Sequence, residues 1–108
     1  MTWYVAKIVF QITSKSARTV AQFDEHLRLV CAESFEQAFV KARLIGISEE
    51  DPAPAGPTNT AWEFVNILEL YPLKELSDGV ELHSRIYETC EAINYINLVH
   101  QRASELAA

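Results

Sequence analysis

Glycine is scarce in this chain: three residues, at positions 46, 56 and 79. Each has a local use as a helix stop or a turn residue, which leaves none for a loop that cradles phosphate. Neither GxGxxG, nor a P-loop, nor the GxSxG of a nucleophile elbow occurs. Cysteine is scarcer still. Cys31 and Cys90 lie far apart and form no CxxC, and Cys31 continues the apolar parity of Phe23, Leu27 and Leu29, so it reads as a small hydrophobe in a reducing cytoplasm. Histidine is limited to three residues with no HxxxH. His26, with Asp24 and Glu25 beside it and His83 far along the chain, falls short of a ligand set, and neither metal nor cofactor is expected. Positive charge is also in deficit: nine Lys and Arg face 15 Asp and Glu, a net charge of −6. Nucleic-acid backbones are held by Lys and Arg displacing counterions, so the balance argues against such a partner. The apolar opening, Trp3 to Ile12, has no basic leader or small-residue cleavage site and is too short to span a bilayer. A cytoplasmic protein without a membrane segment is expected.

The apolar fraction, 49%, is enough for one core in a chain of 108 residues. Charge is uneven: +2 over residues 1–30, −3 over 31–60 and −5 over 61–108. A basic patch has room only near Lys7, Lys15, Arg18 and Arg28, where a solvated surface is the plainer reading. In the first strand, Tyr4, Ala6, Ile8, Phe10 and Ile12 make one apolar face. Trp3, Val5, Lys7, Val9 and Gln11 make a mixed one, as in a central strand or one covered on both sides. A polar connection, Thr13 to Ala21, leads to a second strand over Gln22–Ala32. Ser34 stands three residues before Gln37, the spacing of a capping box. Phe35, Ala38, Phe39, Ala42 and Ile45 follow at helical spacing, and Gly46 is placed to end the helix in a left-handed conformation.

Three of the four prolines fall between Ile47 and Thr60, a stretch that reads as a mobile acidic connector. A third strand runs from Trp62 to Pro72, with Trp62, Phe64, Leu68 and Leu70 on one parity and Val65, Ile67 and Tyr71 on the other. Ser77-Asp78-Gly79 marks a turn. Beyond it Val80, Leu82, Ser84 and Ile86 alternate with Glu81, His83, Arg85 and Tyr87, the pattern of a fourth strand with Ser84 turned to the core. Thr89 can cap a closing helix. The expected fold is α+β, in the order β-β-α-β-β-α. Two antiparallel strand pairs form a four-stranded sheet packed by one central helix, and a C-terminal helix follows. Residues 1–88 make the core domain and 89–108 its helical extension.

Four stretches together resemble the bacterial domain-of-unknown-function family 4288. They are Trp3-Tyr4-Val5-Ala6-Lys7-Ile8-Val9-Phe10, the Ala32-Glu33-Ser34-Phe35-Glu36-Gln37-Ala38 step, Trp62-Glu63-Phe64-Val65, and Tyr71-Pro72-Leu73 followed by 78–85. The resemblance covers about residues 3–87 and leaves the C-terminal helix outside. It implies an α+β domain with two strand pairs around a helix, and brings no activity or catalytic residue with it.

Two readings of function stand side by side. One is a non-catalytic protein-interaction module; an acidic inhibitor or immunity-type protein masking a basic partner is a special case, since negative charge steers such encounters. The other is a small-ligand binder or an enzyme. Glu81, His83 and Arg85, at about 7 Å intervals on one strand face, can bind an anion or exchange protons, with Lys7 joining from the first strand. The plainer account of that face is a solvated surface with cross-strand ion pairs. Trp3, Trp62, Tyr71 and Tyr87 read as core or interface aromatics. The last helix carries apolar residues on more than one stripe. If Ile93, Ile96 and Val99 dock on the sheet, Tyr95, Leu98 and Arg102 form a second flank for a homodimer interface.

Overall fold

The computed structural model describes residues 1–14, 20–51 and 60–107. Five elements follow in order: β1 (Thr2–Ser14), β2 (Gln22–Ala32), α1 (Phe35–Ser48), β3 (Thr60–Leu73) and α2 (Ala92–Ala107). The connection holding Lys15 and Arg18, and residues 52–59 of the proline-rich connector with Gly56, lie outside the described residues.

The three strands form one antiparallel sheet in the order β2-β1-β3, so β1 is central as its two apolar faces require. α1 lies on one face. Ala38, Ala42 and Gly46 recur every fourth residue and are buried there against Tyr4, Ala6, Ile8 and Phe10 of β1 and Val30 and Ala32 of β2. Small residues on both sides allow helix and sheet to approach closely. A β-carbon at position 46 would overlap the Phe64 ring and come within 3.2 Å of Ile8 Cγ2. Gly46 therefore sits inside the helix as a packing residue and does not end it. α1 runs on to Ser48 with Glu49 as its right-handed C-cap, and among the described residues the left-handed glycine is Gly79, φ 83°. At the other end the capping box forms. Gln37 N–H donates to Ser34 Oγ at 3.1 Å, and Gln37 Oε1 accepts from the N–H of Glu33 at 2.6 Å, one residue before the cap.

Two expectations about the sheet are corrected. Residues 80–87 do not form the fourth strand: they are irregular and mostly exposed, Ser84 included, and Ile86 is 90% exposed. The Ser77 to Val80 turn does form, its backbone bond 3.1 Å long. What fails is the pairing. The available edge is that of β3, which breaks register with β1 twice and carries Pro72, a residue with no N–H to donate. Alternation alone does not make a strand when the neighbouring edge is blunted. The same register breaks correct the parity of β3. Ile67 returns to the face of Trp62, Phe64 and Leu70 and packs on the core, while Leu68 is exposed. β3 also runs one residue past Pro72, which an edge strand tolerates.

Candidate interaction face

β2 turns its more apolar parity away from α1. The residues that share the helix side with Val30 and Ala32 are Asp24, His26 and Arg28. On the other side Phe23, Leu27 and Leu29 are 54%, 54% and 46% exposed. Trp3 of β1 shares this outer face, and Val65 and Leu68 of β3 are exposed beside it. Val9, Phe23, Val65 and Leu68 border a shallow depression of about 260 Å³. On this side Val5 and Leu73 are buried, and the segment carrying His83 lies over Tyr71 and Glu69. The β2 part stays open, since among the described residues α1 lies on the opposite face and α2 packs on none of the strands or on α1.

A polar island interrupts the apolar face. Lys7 stands between two carboxylates, with Nζ 3.6 Å from Glu25 Oε1 and 3.7 Å from Glu69 Oε2. His83 comes down onto the same group, its Nε2 3.4 Å from Glu69 Oε2, and its ring stacks on Tyr71 at 4.8 Å and 14°. Glu69 Oε2 and the Tyr71 hydroxyl are shielded from solvent and make no hydrogen bond among the described residues. Burial pushes the Tyr71 hydroxyl above the ordinary tyrosine value, and the nearby Glu69 carboxylate adds to the shift.

Of the four expected site residues, the structure brings Lys7 and His83 together, through Glu69. Glu81 and Arg85 lie on no strand, are exposed, and form no ion pair with the described residues. His26 and His83 sit on opposite faces of the sheet, and no metal-holding group of three His, Cys, Asp or Glu occurs among the described residues.

A second polar cluster closes the helix side beyond the end of α1. Asp24 Oδ2 accepts from His26 Nε2 at 2.8 Å and from Trp62 Nε1 at 3.1 Å. Arg28 Nη2 is 3.3 Å from His26 Nδ1 and also pairs at 3.1 Å with Glu49, the C-cap of α1. The bond from His26 holds the Asp24 carboxyl below the usual carboxylate range; partial burial opposes this, and the indole N–H reinforces it. Sequence reading missed this cluster because Asp24 and Trp62 are 38 positions apart. The signal present was a run of alternating polar residues on a strand whose other parity is apolar.

The last helix is amphipathic. At about 100° per residue, Ile93, Tyr95, Ile96, Leu98, Val99 and Leu106 share one broad arc. Asn94, Asn97, Gln101 and Ser104 fill the other, and none of the helix is buried. Arg102 falls inside the apolar arc, between the directions of Leu98 and Tyr95. Tyr95 stacks on Tyr87 of the preceding segment at 4.8 Å.

The profile of the family described as Domain of unknown function (DUF4288) matches residues 3–84. The chain belongs to this family. The match takes in the DUF4288 sheet, α1 and the segment carrying His83, and α2 lies beyond it. No curated protein and no solved structure gives a significant match to the chain. Among the described residues of this DUF4288 protein, no helix is long and apolar enough to cross a membrane.

Proposed function

We propose that this DUF4288 chain is a non-catalytic protein-interaction module of the cytoplasm, and that the outer sheet face and α2 are its working surfaces. One observation carries the reading: Phe23, Leu27 and Leu29 are exposed on the β2 part of the outer sheet face, where no described helix or strand packs. Soluble monomers seldom leave a contiguous apolar patch of more than a few hundred Å² open to water. A strand that turns its apolar parity outward is built to be covered. The net charge of −6 favours a basic partner among foreign proteins, because opposite charge steers encounter. For the small-ligand reading, Lys7 and His83 meet at Glu69, and Glu81 and Arg85 form no ion pair among the described residues.

Photo-crosslinking in living cells tests this. A benzophenone side chain replacing Leu27 is expected to give a discrete protein adduct on irradiation. The same group at Glu36, on the exposed first turn of α1, serves as the background. Absence of any protein adduct at position 27 above that background overturns the reading.

A further inference from the structure

We propose that two copies of this chain exchange α2, each helix seating on the outer sheet face of the other copy with Arg102 directed at Glu25. The inference rests on the interaction-module reading and names the partner as a second copy.

Chemistry on the two surfaces matches. The sheet face is apolar along Leu27 and Leu29, with Gln11 and Glu63 beside Phe23 at one end and, next to Leu27, an island in which one cation, Lys7, serves two carboxylates, Glu25 and Glu69. Counting the imidazole as neutral, that island has negative charge in excess. The helix arc is apolar except for His100, between the directions of Ile96 and Ile93, and Arg102, which has no ion pair among the described residues. A lone arginine in an apolar arc needs a carboxylate set in an apolar field, and the sheet face supplies one.

Spacing agrees as well. Leu29, Leu27 and Glu25 lie on one side of β2, spanning about 13 Å at the strand rise. Tyr95, Leu98 and Arg102 follow one flank of α2 over about 10 Å at the helix rise. The long arginine side chain covers the difference. A 16-residue helix is about 24 Å long and about 10 Å across. Two such seats therefore remove roughly 1,000 Å² from water, the lower bound for a stable interface.

The shape of the chain fits exchange. Its radius of gyration is 17.8 Å, against roughly 13 Å for a compact chain of this length. His83 is pinned on Tyr71, and the eight residues from 84 to 91 can reach roughly 26 Å beyond it. A mutual exchange is two-fold and closes, so it stops at the dimer.

The test uses the full chain at about 50 µM. Ordinary and nitrogen-15-labelled copies carrying a benzophenone at position 29 are mixed, unfolded and refolded together, irradiated and digested with trypsin. A dimeric mass and mixed-isotope adducts between position 29 and peptide 86–102 are expected. Arg102→Glu is expected to weaken the dimer about tenfold, and Glu25→Arg in the same chain to recover most of that loss. Both positions are exposed, and circular dichroism checks that each variant is folded. A monomeric mass overturns the exchange, as do adducts confined to one isotope, which mean that α2 folds back on its own sheet. A dimer crosslinked only helix to helix, or an Arg102→Glu dimer that Glu25→Arg does not rescue, overturns it equally. Adducts to a foreign protein at position 27 in cells with a monomeric pure chain remove the exchange and leave the interaction module standing.

Discussion

Asp24 is where a single proton reaches furthest into the fold, because its carboxylate accepts from both His26 on its own strand and Trp62 on β3. The folded state holds it below the usual range, with the bond from His26 as the main cause. A depressed carboxylate contributes stability that is fully present above its unfolded value, about 3.9, and is lost as pH falls through the folded value. Urea midpoints measured from pH 6 downward are expected to fall below about pH 4 and to fall less steeply in Asp24→Asn. A variant curve parallel to the parent curve removes Asp24 from the account. Gly46 is the second residue with a distinct physical role. Gly46→Ala gains helix propensity of about 1 kcal/mol but drives a methyl into the Phe64 ring, a kind of overpacking that costs about 1–3 kcal/mol. A net loss of up to about 2 kcal/mol is expected from denaturant unfolding, and Phe64→Leu in the same chain is expected to return part of it. A stabilised Gly46→Ala protein means that the ring moves aside freely.

Elements whose signals are local were legible in the sequence. β2 has the expected bounds, and the Ser34 and Gln37 bonds open α1 where the capping spacing placed them. Ser34→Ala is expected to cost about 1 kcal/mol, as loss of an N-cap does, while Ser34→Asp keeps most of it. Equal losses in the two variants count against the cap. Elements that depend on a neighbour were less legible. Ile67 and Leu68 changed faces because β3 breaks register with β1, and nothing within 60–73 announces where a bulge will fall. Residues 80–87 alternate well, yet alternation says only which side is apolar and not whether an edge is ready to pair. The expected site divides along the same line. Lys7 was placed correctly on the mixed face of a central strand, whereas Glu81 and Arg85 depended on the strand that does not form. Phe23, Leu27 and Leu29 were read as strand residues, but which parity faced the core was decided by α1, whose small residues fit the Ala6 and Val30 side.

For the molecule as a whole, the proposed exchange of α2 would make stability a property of concentration. α2 packs on none of the other elements, so a chain ending at residue 90 is expected to keep its cooperative unfolding and the circular dichroism of the sheet and α1. The full chain, with exchanged helices covering each other's sheets, is expected to melt at a temperature that rises with protein concentration, by mass action. The truncated chain is expected to melt at one temperature throughout a hundredfold dilution series. A full-chain transition that ignores concentration counts against the dimer. The position of β1 has a consequence for biosynthesis. β1 is made first but lies in the middle, pairing with β2 on one side and, from Trp3 to Leu73, with the last strand on the other. β1, β2 and α1 can assemble once Ser48 has left the ribosome, while the second edge of β1 stays open until residue 73 emerges. Throughout that interval the nascent chain presents an unpaired central edge to whatever waits at the tunnel mouth, so β3 must arrive before a neighbouring nascent chain takes its place.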